Sequence, residues 1–289
     1  MSRLERNDLY FCGFTDEVND ADLVVYGAPF DSTTSFRPGT RFAPPRMREE
    51  SWGLETYSPY QNLDLGDYKI CDLGDLELPF GDSINTLKQL KTQTTEILAQ
   101  GSIPLMIGGE HSLTIAPVEA VFEKYPDLEI VHFDAHTDLR DDYLGNRNSH
   151  ASVIKRCLDL LGDGRIHSFG IRSGLREEFK LAHERLDFHP FDLTETSNIA
   201  EKLAASQTPI YLTIDLDVLD PSDFPGTGTP EPGGVNFREL LTALLSLQKC
   251  NIVAADIMEL SPHYDTTGAS TAAACKVLRE VALMLAANK

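Results

Sequence analysis

The sequence predicts one α/β domain built on a mostly parallel sheet. Short runs that are apolar throughout recur along the chain, as expected of strands covered on both faces. Stretches of helical length separate these runs, the alternation that produces βαβ units. No internal repeat, low-complexity tract or Gly/Ser/Pro linker divides the 289 residues, so they read as a single domain over 1–289.

In order, strands are expected at 23–28 (LVVYGA), 68–73 (YKICDL), 103–107 (IPLMI) and 130–134 (IVHFD). Three more follow at 166–171 (IHSFGI), 210–214 (IYLTI) and 252–258 (IVAADIM). Helices are expected between them at 84–99, 112–124, 149–161, 174–185, 196–206, 237–249 and 268–287. Asn236 with Glu239 three residues later forms a capping-box signature at the start of the sixth. In the last, Val277, Leu278, Val281 and Leu285 recur at helical spacing and should face the sheet. Periodicity alone leaves open whether seven or eight such strands close into a barrel or stay open.

The formal net charge is −20, from 45 acidic and 25 basic residues. Such a balance argues against a nucleic-acid partner, which needs clustered Lys and Arg. An acidic field draws in small cations and cationic substrates, although acidity also serves solubility. No apolar run approaches the roughly 18 residues of a membrane span. The opening MSRLERNDLYFCG has no apolar signal core. The five cysteines (Cys12, Cys71, Cys157, Cys250, Cys275) are scattered and lack CxxC spacing. Reduced thiols in a cytoplasm are therefore expected.

Polar clusters sit just past the strands. IPLMIGGEHS places Glu110 and His111 after one, and IVHFDAHTD places Asp134, His136 and Asp138 after the next. IYLTIDLDVLDP adds Asp215 and Asp217, and IVAADIMELSP adds Glu259. The carboxyl edge of a parallel sheet is where ligands bind. Two carboxylates ~4 Å apart repel by about 4 kcal/mol at an effective dielectric near 20. A gathering of this density needs protons or cations. Aspartates with histidines are a donor set for Mn²⁺ or Zn²⁺, and this many suit two ions sharing bridging carboxylates. A lone DxD pair after a strand more often caps a helix; the combination of clusters carries the reading. His132 lies deeper in its apolar run and reads as a satisfied interior histidine. His167, His183, His189 and His263 read as structural or surface residues.

These same segments carry a resemblance. GGEHSLT, HFDAHTDLRDD, SHASVIKR, FGIRSG, TIDLDVLDPSDFPGTGTPEPGG and DIMELSPHYD resemble the ureohydrolase family. Its members include arginase, agmatinase, guanidinobutyrase and formiminoglutamase, and the likeness is closest to the bacterial agmatinase group. It runs from residue 26 to the last helix. The resemblance implies an open three-layer α/β/α sandwich with about eight strands. It also implies two Mn²⁺ ions per subunit and a homotrimer or homohexamer. By the same likeness, His111, Asp134, Asp138 and Asp215 would hold one ion. Asp134, His136, Asp215 and Asp217 would hold the other. His150 would be the catalytic histidine and proton shuttle, Asp138 would aim the nucleophile, and Glu259 would grip the guanidinium. Thr229 and Asn148 would lie beside the substrate.

The implied reaction is hydrolysis of a guanidino compound to urea and an amine. The loop Asn146–Arg147–Asn148–Ser149–His150–Ala151 lacks the serine and glycine that arginases place around the histidine. Agmatine, cleaved to putrescine and urea, is therefore the expected substrate. Arg147 pulls the other way, toward a guanidino acid such as 4-guanidinobutyrate. Arginase and formiminoglutamase activities are less favoured. A binding protein without activity would be expected to lose a ligand, His150 or Glu259, and none is lost.

Overall fold

The computed structural model describes residues 9–14 and 17–289; residues 1–8, most of the opening stretch that lacks an apolar signal core, lie outside them. Among these described residues, ten strands form: β1 Leu23–Ala28, β2 Tyr57–Ser58, β3 Leu63–Asp64, β4 Ile70–Asp75 and β5 Ile103–Gly108, then β6 Glu129–Phe133, β7 Ile166–Phe169, β8 Asp187–His189, β9 Ile210–Asp215 and β10 Ile252–Met258. Eight α-helices accompany them within the same residues: α1 Ala43–Ser51, α2 Ser83–Ala99, α3 Ile115–Lys124, α4 Val153–Leu161, α5 Arg176–Arg185, α6 Thr196–Ser206, α7 Phe237–Ser246 and α8 Ala269–Ala287.

The main sheet has eight strands in the order β4-β1-β5-β10-β9-β6-β7-β8, and every pairing in it is parallel. It is open, with β4 and β8 at its edges, which settles the barrel question. β2 and β3 make a separate antiparallel pair. The strand alternation divides the core into two faces. Val131 and Phe133 of β6 and Leu212 and Ile214 of β9 pack with α1, α6, α7 and α8. Ile130 and Tyr211, one residue out of step, pack with α3, α4 and α5. The central strands are apolar on both sides for this reason. Among the described residues, no helix is long and apolar enough to cross a membrane. All five cysteines are free, as their spacing predicts.

The chain lays down β1, β4 and β5 on one side, crosses to β6, β7 and β8 on the other, and then fills the middle with β9 and β10. As a result β5, β10, β9 and β6 are immediate neighbours, although far apart in sequence. These are the strands whose ends carry the polar clusters.

Several elements depart from expectation. Helix α1 was not anticipated, because Pro44 and Pro45 interrupt its sequence; both fall in the first turn, where no backbone N–H is needed. β8 was missed because its three residues are only half-buried and carry no apolar run. The strand expected at 68–73 runs instead over Ile70–Asp75, and the one expected at 166–171 stops at Phe169. The helices expected from 112 and 149 each begin with a 3-10 turn, His111–Thr114 and His150–Ser152.

The edge at β8 holds one titratable device. His167 on β7 bonds Asp187 through Nδ1 and Glu129 through Nε2, both at 2.7 Å. Burial opposes its protonation, but the two carboxylates win and raise its pKa from 6.5 to about 9. The folded value exceeds the unfolded one. The stabilisation is therefore complete below pH 6.5 and is lost as pH rises through about 9. Discounted for the partly exposed carboxylates, it amounts to roughly 2 kcal/mol. Thermal melts from pH 6 to 10 should show this loss, and His167→Gln should flatten it. An unchanged slope in the variant would refute the assignment.

Candidate metal centre and pocket

Tight backbone approach positions the first donor. Gly109 follows β5, and a Cβ there would sit 1.9 Å from the carbonyl oxygen of Phe30. Only glycine admits that approach. The Gly109 carbonyl accepts from Glu259 N–H (3.0 Å), and Glu259 Oε1 accepts from His111 N–H (2.7 Å). The ends of β5 and β10 are thereby locked together.

His111 is buried, and its Nδ1 has no hydrogen-bond partner. That nitrogen faces Asp134 Oδ2 at 3.1 Å, Asp215 Oδ2 at 3.3 Å and Asp138 Oδ2 at 3.4 Å. On the other side of Asp134, His136 Nδ1 lies 3.0 Å from Asp217 Oδ2 and 3.6 Å from Asp134 Oδ1. Backbone amides hold the carboxylates in place. His136 N–H donates to Asp134 Oδ1 (2.6 Å), Ala135 N–H to Asp217 Oδ1 (3.1 Å) and Asp217 N–H to Asp215 Oδ1 (2.9 Å). An orphaned imidazole nitrogen among buried carboxylate oxygens is the geometry a divalent cation completes. Among the described residues, Asp134 belongs to both of the donor groups compact enough to hold an ion, one with His111 and one with His136 and Asp217. His132 falls in the first of these groups, but its nitrogens are taken: Nδ1 bonds Ser168 Oγ and Nε2 bonds Asp134 Oδ2, both at 2.9 Å. It orients Asp134 from inside the sheet.

The electrostatics tell the same story. Burial raises Asp134, yet the neighbouring His111, His132 and His136 hold its carboxyl well below the usual range. Burial and the Asp134 charge push Asp138 up to about 7. Burial, with Asp217 and Asp134 beside it, lifts Asp215 well above its ordinary value. Burial and then the charges of Glu110 and Asp217 lift Glu259. Such a cluster keeps protons unless cations take their place. Asp138 (φ 48°) and Glu259 (φ 65°) also hold left-handed backbone conformations, each costing on the order of 1 kcal/mol. Side-chain aim has been favoured over local comfort at both.

These groups open into a pocket of about 260 Å³ lined by Ser35, His136, Asp138, His150, Asp215, Thr229 and Glu259, with Arg140, Tyr143 and Glu178 also on its wall. Thr229 Oγ1 reaches Asp217 Oδ2 at 3.3 Å. A larger surface hollow of about 1110 Å³, between α1 and the start of α8, contains none of the donors. His150 Nε2 accepts from Ser35 N–H (3.2 Å), so the hydrogen of the neutral ring is assigned to Nδ1. Burial, then the charge of His136, lowers His150 to about 4.

Not every expected residue is here. Asn148 is absent from this wall; it lines a separate depression with Ile84, Lys91 and Arg156. Its loop is held by Asn148 N–H bonding Asn146 Oδ1, which turns that segment outward. Arg147 is exposed and pairs with Asp141 at 3.3 Å. Two residues had no role assigned from the sequence. Glu110 is buried and accepts from Thr33 N–H (2.7 Å), and Thr33 Oγ1 accepts from His150 N–H (3.0 Å), so Glu110 fixes the loop against which His150 rests. Its place in GGEHS was the available signal. Glu178, at the start of α5, carried none.

A sequence profile described as the arginase family matches residues 21–284. The chain belongs to the arginase family. It is accordingly a hydrolase of guanidino carbon–nitrogen bonds. Agmatinase of Bacillus subtilis is 43% identical over 277 residues, covering 94% of this chain and 95% of that protein. A candidate agmatinase from Clostridium difficile superimposes with a TM-score of 0.92 at 51% identity, over 94% of this chain and 99% of that one. The agmatine ureohydrolase of Thermoplasma volcanium follows with a TM-score of 0.86 at 34% identity, over 96% and 94% of the chains. Arginase-family structures thus share the open sheet seen here.

Proposed function

We propose that this protein hydrolyses agmatine to putrescine and urea with two Mn²⁺ ions held at the carboxyl edge of the sheet. The observation that carries the reading is the orphaned His111 Nδ1 among three carboxylates that share Asp134 with a second His/Asp group. His111, Asp134, Asp138 and Asp215 would hold one ion. Asp134, His136, Asp215 and Asp217 would hold the other, with Asp134 and Asp215 common to both. When bound, such ions supply Lewis acidity that makes hydroxide available near neutral pH.

The protein's own groups do the rest. Glu259 Oε1 is held by the His111 amide, so its carboxylate is fixed in direction and pairs with the guanidinium. That pairing sets the guanidinium carbon over the nucleophile. Asp138 accepts a hydrogen bond from the attacking oxygen and orients it. His150 Nε2, which lies at the pocket wall and accepts from the Ser35 amide, takes a proton and returns it to the departing amine nitrogen. The carbon–oxygen bond forms, the carbon–nitrogen bond to the aminobutyl chain breaks, and urea leaves with the amine.

The similarity to agmatinases and the buried Glu178 on the wall favour a substrate with a distal ammonium. One observation favours a second reading, a guanidino acid: Arg140 lines the same pocket, 3.9 Å from Glu178. Arg147, exposed and paired with Asp141, no longer argues for it. Urea release from Mn²⁺-loaded protein decides among them, with agmatine, 4-guanidinobutyrate, arginine and formiminoglutamate side by side. Agmatine should lead the others by at least about tenfold in kcat/KM. Turnover of guanidinobutyrate alone transfers the substrate assignment. Turnover of arginine alone overturns it. No product from any guanidine overturns the reaction.

A further inference from the structure

One buried acid takes no part in the pocket. Asp256 lies inside β10 and is fully buried. It accepts three hydroxyl hydrogen bonds: Thr213 Oγ1 to Oδ1 (2.6 Å), and Tyr211 Oη (2.6 Å) and Thr114 Oγ1 (2.7 Å) to Oδ2. Burial raises its pKa, while the nearby His111 and the three hydroxyls pull the other way. Thr213 Oγ1 also lies 2.9 Å from His111 Nε2.

Hydrogen counting fixes the direction of this chain. Thr213 has one hydroxyl hydrogen, and the carboxylate claims it. Towards His111, Thr213 can therefore only accept. His111 Nε2 must carry a hydrogen, so the neutral ring that ligates a cation has its lone pair on Nδ1. Nδ1 is the atom without a hydrogen-bond partner that faces Asp134, Asp138 and Asp215.

We propose that Asp256 is a positioning residue for the metal centre: acting through Thr213, it fixes the His111 tautomer that presents a bare nitrogen to the cation, and so sets ion affinity. The inference rests on the metal-centre reading above and adds a residue that touches neither ion nor substrate. Groups that orient a ligating histidine through its other nitrogen typically change metal affinity by about 10- to 100-fold.

Asp256→Asn has a definite expected outcome. Two hydroxyls converge on the Oδ2 position and one on Oδ1, so the amide settles with its oxygen toward Tyr211 and Thr114. Its NH₂ then donates to Thr213, whose hydroxyl turns to His111 Nε2 and drives the ring hydrogen onto Nδ1. Free Mn²⁺, followed by its electron paramagnetic resonance signal during titration of metal-stripped protein, reads the result. The dissociation constant should rise at least about tenfold in Asp256→Asn and in Thr213→Val. It should stay within about twofold of the parent in Thr213→Ser, which keeps the hydroxyl, and in Tyr211→Phe, which removes a bond to Asp256 but not the relay. Melting curves identify any variant that fails to fold; if Asp256→Asn does, Thr213→Val decides. A folded Thr213→Val that binds Mn²⁺ like the parent overturns the proposal. So does equal weakening in Tyr211→Phe or Thr213→Ser, which would make the network merely structural. A parent whose Mn²⁺ affinity is indifferent to His111→Ala sinks the metal-centre reading instead.

Discussion

Replacing Asp134 with asparagine is expected to abolish ion binding and to lower activity by at least about 10⁴-fold, the scale of losing a unit rather than one contact. Asp134 is fully buried and belongs to both donor groups. Its Oδ1 accepts from the His136 amide, and its Oδ2 faces His132 Nε2 and His111 Nδ1. An asparagine must present an NH₂ on one of those sides, where a cation needs an electron pair. Stability should fall as well. Against burial, three histidines hold the Asp134 carboxyl well below its usual range, so the fold stabilises its anion, and a neutral asparagine forfeits that. The metal-free variant should melt below the metal-free parent, and the rise that Mn²⁺ gives the parent should vanish. Calorimetric titration that still finds two tight ions in the variant would sink the assignment.

Glu259→Gln should leave ion binding intact and lower kcat/KM by about 10³-fold, or ~4 kcal/mol. Glutamine keeps a carbonyl oxygen for the His111 amide, so the link between β5 and β10 survives. It loses the second anionic acceptor and the charge that a guanidinium pairs with. Burial and the neighbouring Glu110 and Asp217 favour the protonated form of Glu259, and a cationic substrate restores the charge. The metal arm separates this residue from Asp134. If kcat/KM falls less than about tenfold with unchanged Mn²⁺ affinity, Glu259 is not the guanidinium partner.

Much of this was legible because parallel strands buried on both faces write themselves as uninterrupted apolar runs. Charge placed just past such runs stands out, which is why His111, Asp134, His136, Asp138, Asp215, Asp217 and Glu259 could be named from sequence. What could not be read depends on three-dimensional aim. The left-handed backbones of Asp138 and Glu259 follow from tertiary closure and have no local signature. The family resemblance of its loop placed Asn148 beside the substrate, yet here it lines another depression. Asp256 was visible as a lone acid in an apolar strand, but its use required knowing that Thr213 lies beside it on β9. β8 lacked an apolar signal because an edge strand of three half-buried residues has little to bury.

The late insertion of β9 and β10 carries a consequence for the nascent polypeptide. Until residues beyond 210 leave the ribosome, β5 and β6 have no partner on their inner sides, and Asp215, Asp217 and Glu259 do not yet exist. The growing chain thus holds two unpaired sheet edges, a template for association with other chains. On the proposed function, ion binding would follow translation of the last strand, so a chain cut short before it would gain no partial activity and is left open to aggregation.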